Sequence, residues 1–238
     1  MSFDLLRVWQ DIEKAKRCVL DGSVETLPFL GQGAQGKVYG CESVAVKKHI
    51  RYFGPKDFAL KKELLARGRA VVDAGIHASP ALDVVYIKNK RYDFMPRLYG
   101  PDLYDANISD IGAIGADGFA TFFDDYKKLR SIGLTLDSSA CNYLLTTDDD
   151  GGKHISMIDL FADRRLKMTD SRKKYFNEEL LEWLYYIIKD KLDFADTRNV
   201  TVKKELGAKI VSDLSDALCD EKHNPAVQLK LDMLARGV

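Results

Sequence analysis

The sequence predicts an α+β protein, β-rich over its first hundred residues and mostly helical beyond. Short β-forming runs broken by turns crowd the stretch between residues 25 and 98, and from residue 171 onward the pattern is helical alone. The chain has no internal repeat and no low-complexity segment, so the order of elements is not that of an array.

The elements follow in order. Residues 3–19 place Leu5, Leu6, Val8, Trp9, Ile12 and Ala15 at near-helical spacing ahead of DGS, which predicts a helix ending near Asp21. The period then changes. ETLPFL, KVYGC and SVAVKK read as strand, glycine loop, strand, with CES as the tight turn to a third strand. Residues 57–72 return to a helical pattern. Strands follow at ALDVVYI (81–87) and RYDFMPRL (91–98), joined by the polar KNK turn. Residues 118–133 are expected to be helical, and CNYLLTT and HISMIDL form two strands around the hairpin turn DDDGGK. NEELLEWLYYIIKDKL, KKELGAKIVSDLSDALC and QLKLDMLARG are the final helices.

A chain of 238 residues with 46% hydrophobic content can bury a sizeable core, as one larger domain or as two lobes sharing a cleft. Lys plus Arg and Asp plus Glu are 36 each, so no whole-chain field draws the protein to nucleic acid or to an acidic membrane, and neither is an expected partner. The four cysteines include no C-x-x-C pair and the four histidines keep no ligand spacing with them. A zinc site or disulfide framework is therefore not expected, and the natural setting is a reducing one, the cytoplasm. The amphipathic N-terminus carries Asp4, Asp11 and Glu13, unlike a secretory or transit peptide, and no run approaches transmembrane length.

The stretch GQGAQGKVYGCESVAVKK carries Gly31, Gly33 and Gly36 as G-x-G-x-x-G. A dinucleotide loop needs its glycines to end a strand and open a helix whose N-terminus receives a pyrophosphate. Here they open a second strand, so the pattern describes a β-hairpin over a ligand, with small residues letting backbone N–H groups approach phosphate oxygens. Farther on, the aspartates of DDDGG have no bidentate glutamate at loop position 12. Residues 148–152 are accordingly read as a solvated Asp-Gly hairpin tip rather than a calcium loop.

Gly31-x-Gly33-x-x-Gly36-x-Val38 followed by Val44-Ala45-Val46-Lys47 resembles, in order, two motifs of the protein-kinase fold. The resemblance implies a single bilobal domain, with an N-terminal helix and β-rich N-lobe over 1–97 and a hinge and reduced, mostly helical C-lobe over 98–238. Lys47 would hold the α- and β-phosphates of ATP, with Val38 and Ala45 roofing the adenine. Glu63, the acid within the following helix, would pair with Lys47. FMPRLYGPDL resembles a hinge: Met95 as gatekeeper, the Pro96 carbonyl and Leu98 N–H on the adenine edge, Asp102 at the ribose. Asp137 and Asn142 keep the D-x-x-x-x-N interval of the catalytic loop, and Asp159 follows where the family places its metal-binding aspartate. Asp137 would position the acceptor hydroxyl, Asn142 and Asp159 would hold Mg²⁺, and Leu144 would complete the nucleotide-binding set.

Several family features are absent. Thr135-Leu136 stand where His-Arg is usual, Ser139 replaces a lysine, and Asp159-Leu160-Phe161 lacks its glycine. Without the arginine that answers a loop phosphate, the kinase would not wait for activation-loop phosphorylation. Arg164, Arg165 and Lys167 are candidates to replace the missing lysine. Only 79 residues follow Asp159. The resemblance then implies a trimmed kinase, similar in layout to minimal kinases that bacteria inject into host cells, some of which phosphorylate a heat-shock chaperone.

The function this implies is ATP- and Mg²⁺-dependent transfer of phosphate to a Ser, Thr or Tyr of a protein, such as a host chaperone. The protein would act as a monomer in the cytoplasm of the producer or of a recipient cell. The alternatives are a small-molecule phosphotransferase of the aminoglycoside or choline kinase type, a pseudokinase scaffold, and transfer of AMP in place of phosphate.

Overall fold

Asp4 starts helix α1 (Leu5–Leu20) by accepting a hydrogen bond from the Arg7 amide at 3.1 Å, satisfying one of the amides that a helix start leaves without a partner. In the computed structural model, which describes residues 4–33, 35–54, 60–135, 139–148, 150–162, 176–194, 200–221 and 224–237, the chain forms two units. They are Met1–Leu98 and Tyr99–Val238.

The first unit is a five-stranded antiparallel sheet with helices. Strands β1 (Phe29–Gly33), β2 (Gly36–Cys41), β3 (Val44–His49), β4 (Asp83–Ile87) and β5 (Lys90–Pro96) lie in the order β1-β2-β3-β5-β4. Helix α2 (Lys61–Asp73) falls between β3 and β4 in the chain. Val8, Ile12, Ala15 and Val19 form the buried stripe of α1 and join Tyr39, Val44, Val46, Tyr92 and Phe94 of the sheet in one core. Leu6 and Leu20 of α1 stay largely in water, Leu6 at 72% exposure, while Leu5 and Trp9 are partly covered. Asp11 anchors the helix by accepting from the Ser43 hydroxyl at 2.6 Å and the Ser43 amide at 3.2 Å, in the turn between β2 and β3.

Alternation along a strand fixes what the opposite face of this sheet carries. Because Val44 and Val46 point into the α1 core, Ala45, Lys47 and His49 lie on the other side. On β5, Tyr92 and Phe94 join that core and Asp93 and Met95 alternate with them. A left-handed Lys88-Asn89 pair (φ 49° and 59°) turns β4 into β5, the geometry a two-residue hairpin needs. Gly68 sits mid-helix in α2 because a Cβ there would meet the Ala81 carbonyl oxygen at 2.2 Å.

The second unit is mostly helical. It contains α3 (Ile108–Gly112), α4 (Gly115–Ser131), β6 (Leu134–Thr135), a 3₁₀ turn (Ala140–Asn142), β7 (Tyr143–Thr147), β8 (Lys153–Met157) and β9 (Phe161–Ala162). Helices α5 (Phe176–Phe194), α6 (Val200–Ala217) and α7 (Pro225–Gly237) follow. Phe119, Phe122, Phe123, Tyr126 and Leu129 bury one side of α4. Phe122 meets Tyr143 edge-on at 5.7 Å between ring centres, tying α4 to β7, and Tyr143 lies 6.3 Å from the Trp183 ring of α5. Strands β7 and β8 pair with each other, and β6 pairs with β9.

The α+β class, with an antiparallel sheet unit followed by a mostly helical one, is as expected. Three elements, besides short 3₁₀ turns such as Ala140–Asn142, were not expected. Helix α3 is five residues long and starts on Asn107, whose side chain accepts from the Asp110 amide at 2.9 Å. Strands β6 and β9 have two residues each, too short to leave a period in the sequence. Helix α4 also begins at Gly115, three residues ahead of the expected start. No helix among the described residues is long and apolar enough to cross a membrane.

Candidate functional site

The glycines of the first unit divide into two kinds. At Gly36 a Cβ would lie 2.5 Å from the backbone oxygen of Lys48, so the β2–β3 pairing itself requires glycine there. At Gly31 and Gly33 a Cβ would meet nothing within 4 Å, and neither residue has a positive φ. The fold does not demand glycine at those two positions. An open approach to the backbone is what they provide, which suits a loop that cradles phosphate. Val38 pairs with Lys47 and Ala45 with Met95 across the sheet, so the side chains expected around an adenine lie in one register.

Lys47 is 6% exposed, and its Nζ lies 3.5 Å from Oε1 of Gln35 in the glycine loop. The expected pair with Glu63 is not formed. Glu63 is exposed in the first turn of α2, and its carboxylate takes Arg67, one turn on in the same helix. An i,i+4 partner is always within reach on a helix, whereas a partner on another element depends on how the helix is seated.

Sequence reasoning missed a buried ionic cluster on the Lys47 face. Asp93 is the register partner of Lys47 on β5. Its carboxylate accepts from Arg91 Nε at 2.5 Å and Nη2 at 2.6 Å, and meets His49 Nε2 at 2.9 Å. Burial alone would raise the Asp93 carboxyl, but the His49 hydrogen bond and the Arg91 charge outweigh it and hold it below the usual carboxylate range. The signal was present in RYDFMP: Arg91 and Asp93, two apart, share one face of a strand whose other face is aromatic.

The hinge residues are partly committed. Met95 is half-buried and Leu98, the last residue of the unit, is likewise half-buried. The Pro96 carbonyl, expected to face an adenine edge, accepts a hydrogen bond from the Ser79 hydroxyl at 2.6 Å, leaving one lone pair.

In the second unit, the β7–β8 hairpin brings Asn142 and the segment of Asp159 together. Tyr143 pairs with Met157, and the Ile158 amide donates to the Asn142 carbonyl at 2.9 Å. The two expected metal ligands therefore stand at the same end of one two-stranded ladder. Asp159 has a φ of 57°, a left-handed conformation that aspartate tolerates better than most residues and that clusters at functional sites. The β6–β9 pairing sets Thr135 against Phe161, so the chain leading to residue 137 starts beside the chain leaving residue 159. Asp137 itself lies outside the described residues, as do Arg164, Arg165 and Lys167.

Leu144 bridges to Asp102, and the Leu103 amide donates to the Tyr143 carbonyl at 2.8 Å. One carboxylate oxygen of Asp102, expected at a ribose, accepts from the Asp105 amide at 2.8 Å, closing a local turn. The DDDGG tip is a turn as expected, with Gly151 at φ 88° and the Asp148 amide donating to the Gly152 carbonyl at 2.9 Å. It is less solvated than expected, because Asp148 pairs with the half-buried His154. A cavity of about 490 Å³ adjoins Ala140, walled by Leu103, Tyr104, Trp183, Tyr186 and Lys191.

No family model matches the chain. No curated protein matches it either. Among solved structures it is similar to the kinase domain of Mycobacterium tuberculosis PknI, crystallised as a double mutant. The two are 14% identical with a TM-score of 0.46, over 88% of this chain and 93% of that one.

Proposed function

We propose that the chain is a kinase-type phosphotransferase that uses ATP and Mg²⁺ and transfers the γ-phosphoryl group to a hydroxyl of a protein. The observation that carries this reading is the placement of Asn142 and Asp159 at one end of the β7–β8 ladder, with Asp159 held at positive φ. An amide oxygen and a carboxylate are hard oxygen donors of the type Mg²⁺ selects, so the residues fit that ion. Bound there, Mg²⁺ would neutralise charge on the phosphates.

The chain's own groups do the rest. Gly31 and Gly33 leave their backbone open to phosphate oxygens, and Lys47 supplies a buried positive charge on the same sheet. Asp137 would take the proton of the acceptor hydroxyl as its oxygen bonds to the γ-phosphorus and the bond to the leaving ADP oxygen breaks. The cavity beside Ala140, two residues before Asn142, mixes aromatic walls with the charged Lys189, Asp190 and Lys191 and suits a peptide side chain near the acceptor. A host chaperone is one acceptor that the minimal-kinase likeness supports.

Intact-mass spectrometry after incubation with Mg²⁺ and ATP, with and without a cell lysate, tests the reading beside the Asp159→Ala variant. A phosphate-sized gain on the chain or on a lysate protein, absent with the variant, is expected. An adenylyl-sized gain, or ATP consumed with no protein gaining mass, would overturn phosphoryl transfer to protein.

A further inference from the structure

Helix α5 carries Trp183, Tyr186, Ile187 and Lys191 at spacings of three and four, so one stripe of the helix presents rings, an aliphatic chain and an ammonium together. This stripe lines the cavity of about 490 Å³ in the second unit, along with Leu103, Tyr104 and Ala140. The latter group is tied to the candidate phosphotransfer site. The Leu103 amide donates to the Tyr143 carbonyl at 2.8 Å, and Ala140 opens the 3₁₀ turn that ends on Asn142. Two residues span at most about 7 Å, so the Ala140 edge of the cavity lies within that distance of Asn142 along the chain.

Tyr104 and Tyr186 border the cavity at 66% and 60% exposure, and Trp183 is half-buried. A tyrosine offers an apolar ring with a polar tip, which suits a surface that takes a partner. Charge decides which partner fits. Lys189 and Lys191 line the cavity with one acid, Asp190, between them in the chain. Neither ammonium meets a carboxylate among the described residues. Lys191 instead donates to the Tyr104 carbonyl and lies 5.6 Å from the centre of the Tyr104 ring. Elsewhere in this unit Lys209 is matched by Asp213 at 2.6 Å and Lys230 by Glu182 at 3.3 Å.

We infer that this cavity binds an acidic segment of the protein acceptor, seating a glutamate or aspartate carboxylate on Lys191 with its stem against Tyr186 and Trp183. The inference rests on the phosphotransfer reading above and deepens it by naming the acceptor class, a hydroxyl flanked by acidic residues. An ammonium has three donors, and Tyr104 takes one while holding Lys191 in place, so two remain for a carboxylate. Lys191 is half-buried, where a counter-charge is worth more than in open water. Two ammoniums against Asp190 leave the cavity positive. A basic segment would bring its charge against both of them, with Asp190 alone to answer it.

The test is peptide binding followed by Trp183 fluorescence in the full chain carrying Trp9→Phe, which leaves Trp183 as the one indole. The probes are three short peptides that share Ser, Thr and Tyr hydroxyls and differ only in flanking glutamates, glutamines or lysines. The glutamate peptide is expected to bind at least tenfold tighter than the glutamine peptide and to change the Trp183 emission, with the lysine peptide weakest. Lys191→Met is expected to bring the glutamate peptide within twofold of the glutamine peptide, and Lys191→Arg to keep most of the preference. Should Lys191→Met fail to fold, Lys191→Gln, which keeps a polar stem, is expected to give the same loss. Equal weakening of both peptides by these variants would make the role of Lys191 structural and overturn the inference. An acidic preference that survives them would place recognition elsewhere and overturn it too. So would equal binding of the glutamate and glutamine peptides by the chain with Lys191 intact, or tightest binding of the lysine peptide. Phosphate transfer to protein with no acidic preference sinks this assignment alone. An acidic preference in a chain that transfers no phosphate keeps the acidic segment as the ligand of the cavity and sinks the phosphotransfer reading.

Discussion

Alanine at the three glycines of the loop separates what the fold needs from what a ligand needs. At Gly36 the added Cβ would lie 2.5 Å from a backbone oxygen of β3, so the hairpin must shift. Overpacking of this kind costs about 1–3 kcal/mol, offset by about 0.4–1 kcal/mol from the stiffer unfolded chain. The net loss is about 1–2 kcal/mol, which lowers Tm by about 2–8 °C at this size. At Gly31 and Gly33 the methyl group meets nothing within 4 Å and φ is ordinary. Only the unfolded-state gain applies there, and Tm should rise by about 1–4 °C. ATP affinity should move the other way. If phosphates approach these backbones, Gly31→Ala and Gly33→Ala each lose about tenfold, or about 1.4 kcal/mol. Thermal unfolding followed by circular dichroism and equilibrium titration with ATP give both numbers on the same samples. Unchanged ATP affinity in both stable variants would refute the phosphate role. A Tm loss at Gly33 equal to that at Gly36 would refute the steric reasoning.

Three further outcomes follow from the same structure. Ile12→Ala removes a fully buried side chain from the α1–sheet core and should destabilise the first unit by about 2–5 kcal/mol, read by urea unfolding. Asp93 is held below the usual carboxylate range in the folded state, so its contribution is complete above the unfolded value of about 3.9 and is lost as pH falls through the folded value. Unfolding free energy should therefore drop on acidification below about pH 4 more steeply in the unaltered chain than in Asp93→Asn; parallel curves would contradict the buried pair. Asn107→Ala removes the cap of α3 and should cost about 1 kcal/mol with no effect on ATP affinity, measured by thermal unfolding and titration.

What could be read from the sequence was what depends on near neighbours in the chain. The glycine hairpin, the Lys47 strand and the DDDGG turn each declare themselves within a few residues, and Asn142 and Asp159 are joined by a hairpin visible as two β-runs around a turn. Partners across elements were not legible. Glu63 was expected at Lys47 because it is the acid within its helix, but the seating of α2 and the nearness of Arg67 decide that contact. The pairing of Asp93 with His49 is not legible either, because alternation shows which face a residue takes and not which residues of another strand lie beside it; that is set by the β3–β5 register. The sequence leaves the Pro96 carbonyl and the Asp102 carboxylate wholly open to ligand, while the Ser79 hydroxyl, distant in the chain, and the Asp105 amide, a local group, each take part of their acceptor capacity.

The most direct measurement is calorimetric titration of ATP into the unaltered chain and into Asp159→Asn, with Mg²⁺ and then with chelator. Tightening of ATP by Mg²⁺ in the unaltered chain, with most of that gain lost in the variant, is the expected result. ATP that fails to bind, or whose affinity responds to Mg²⁺ equally in both proteins, would contradict a metal-assisted phosphotransfer site built on Asp159.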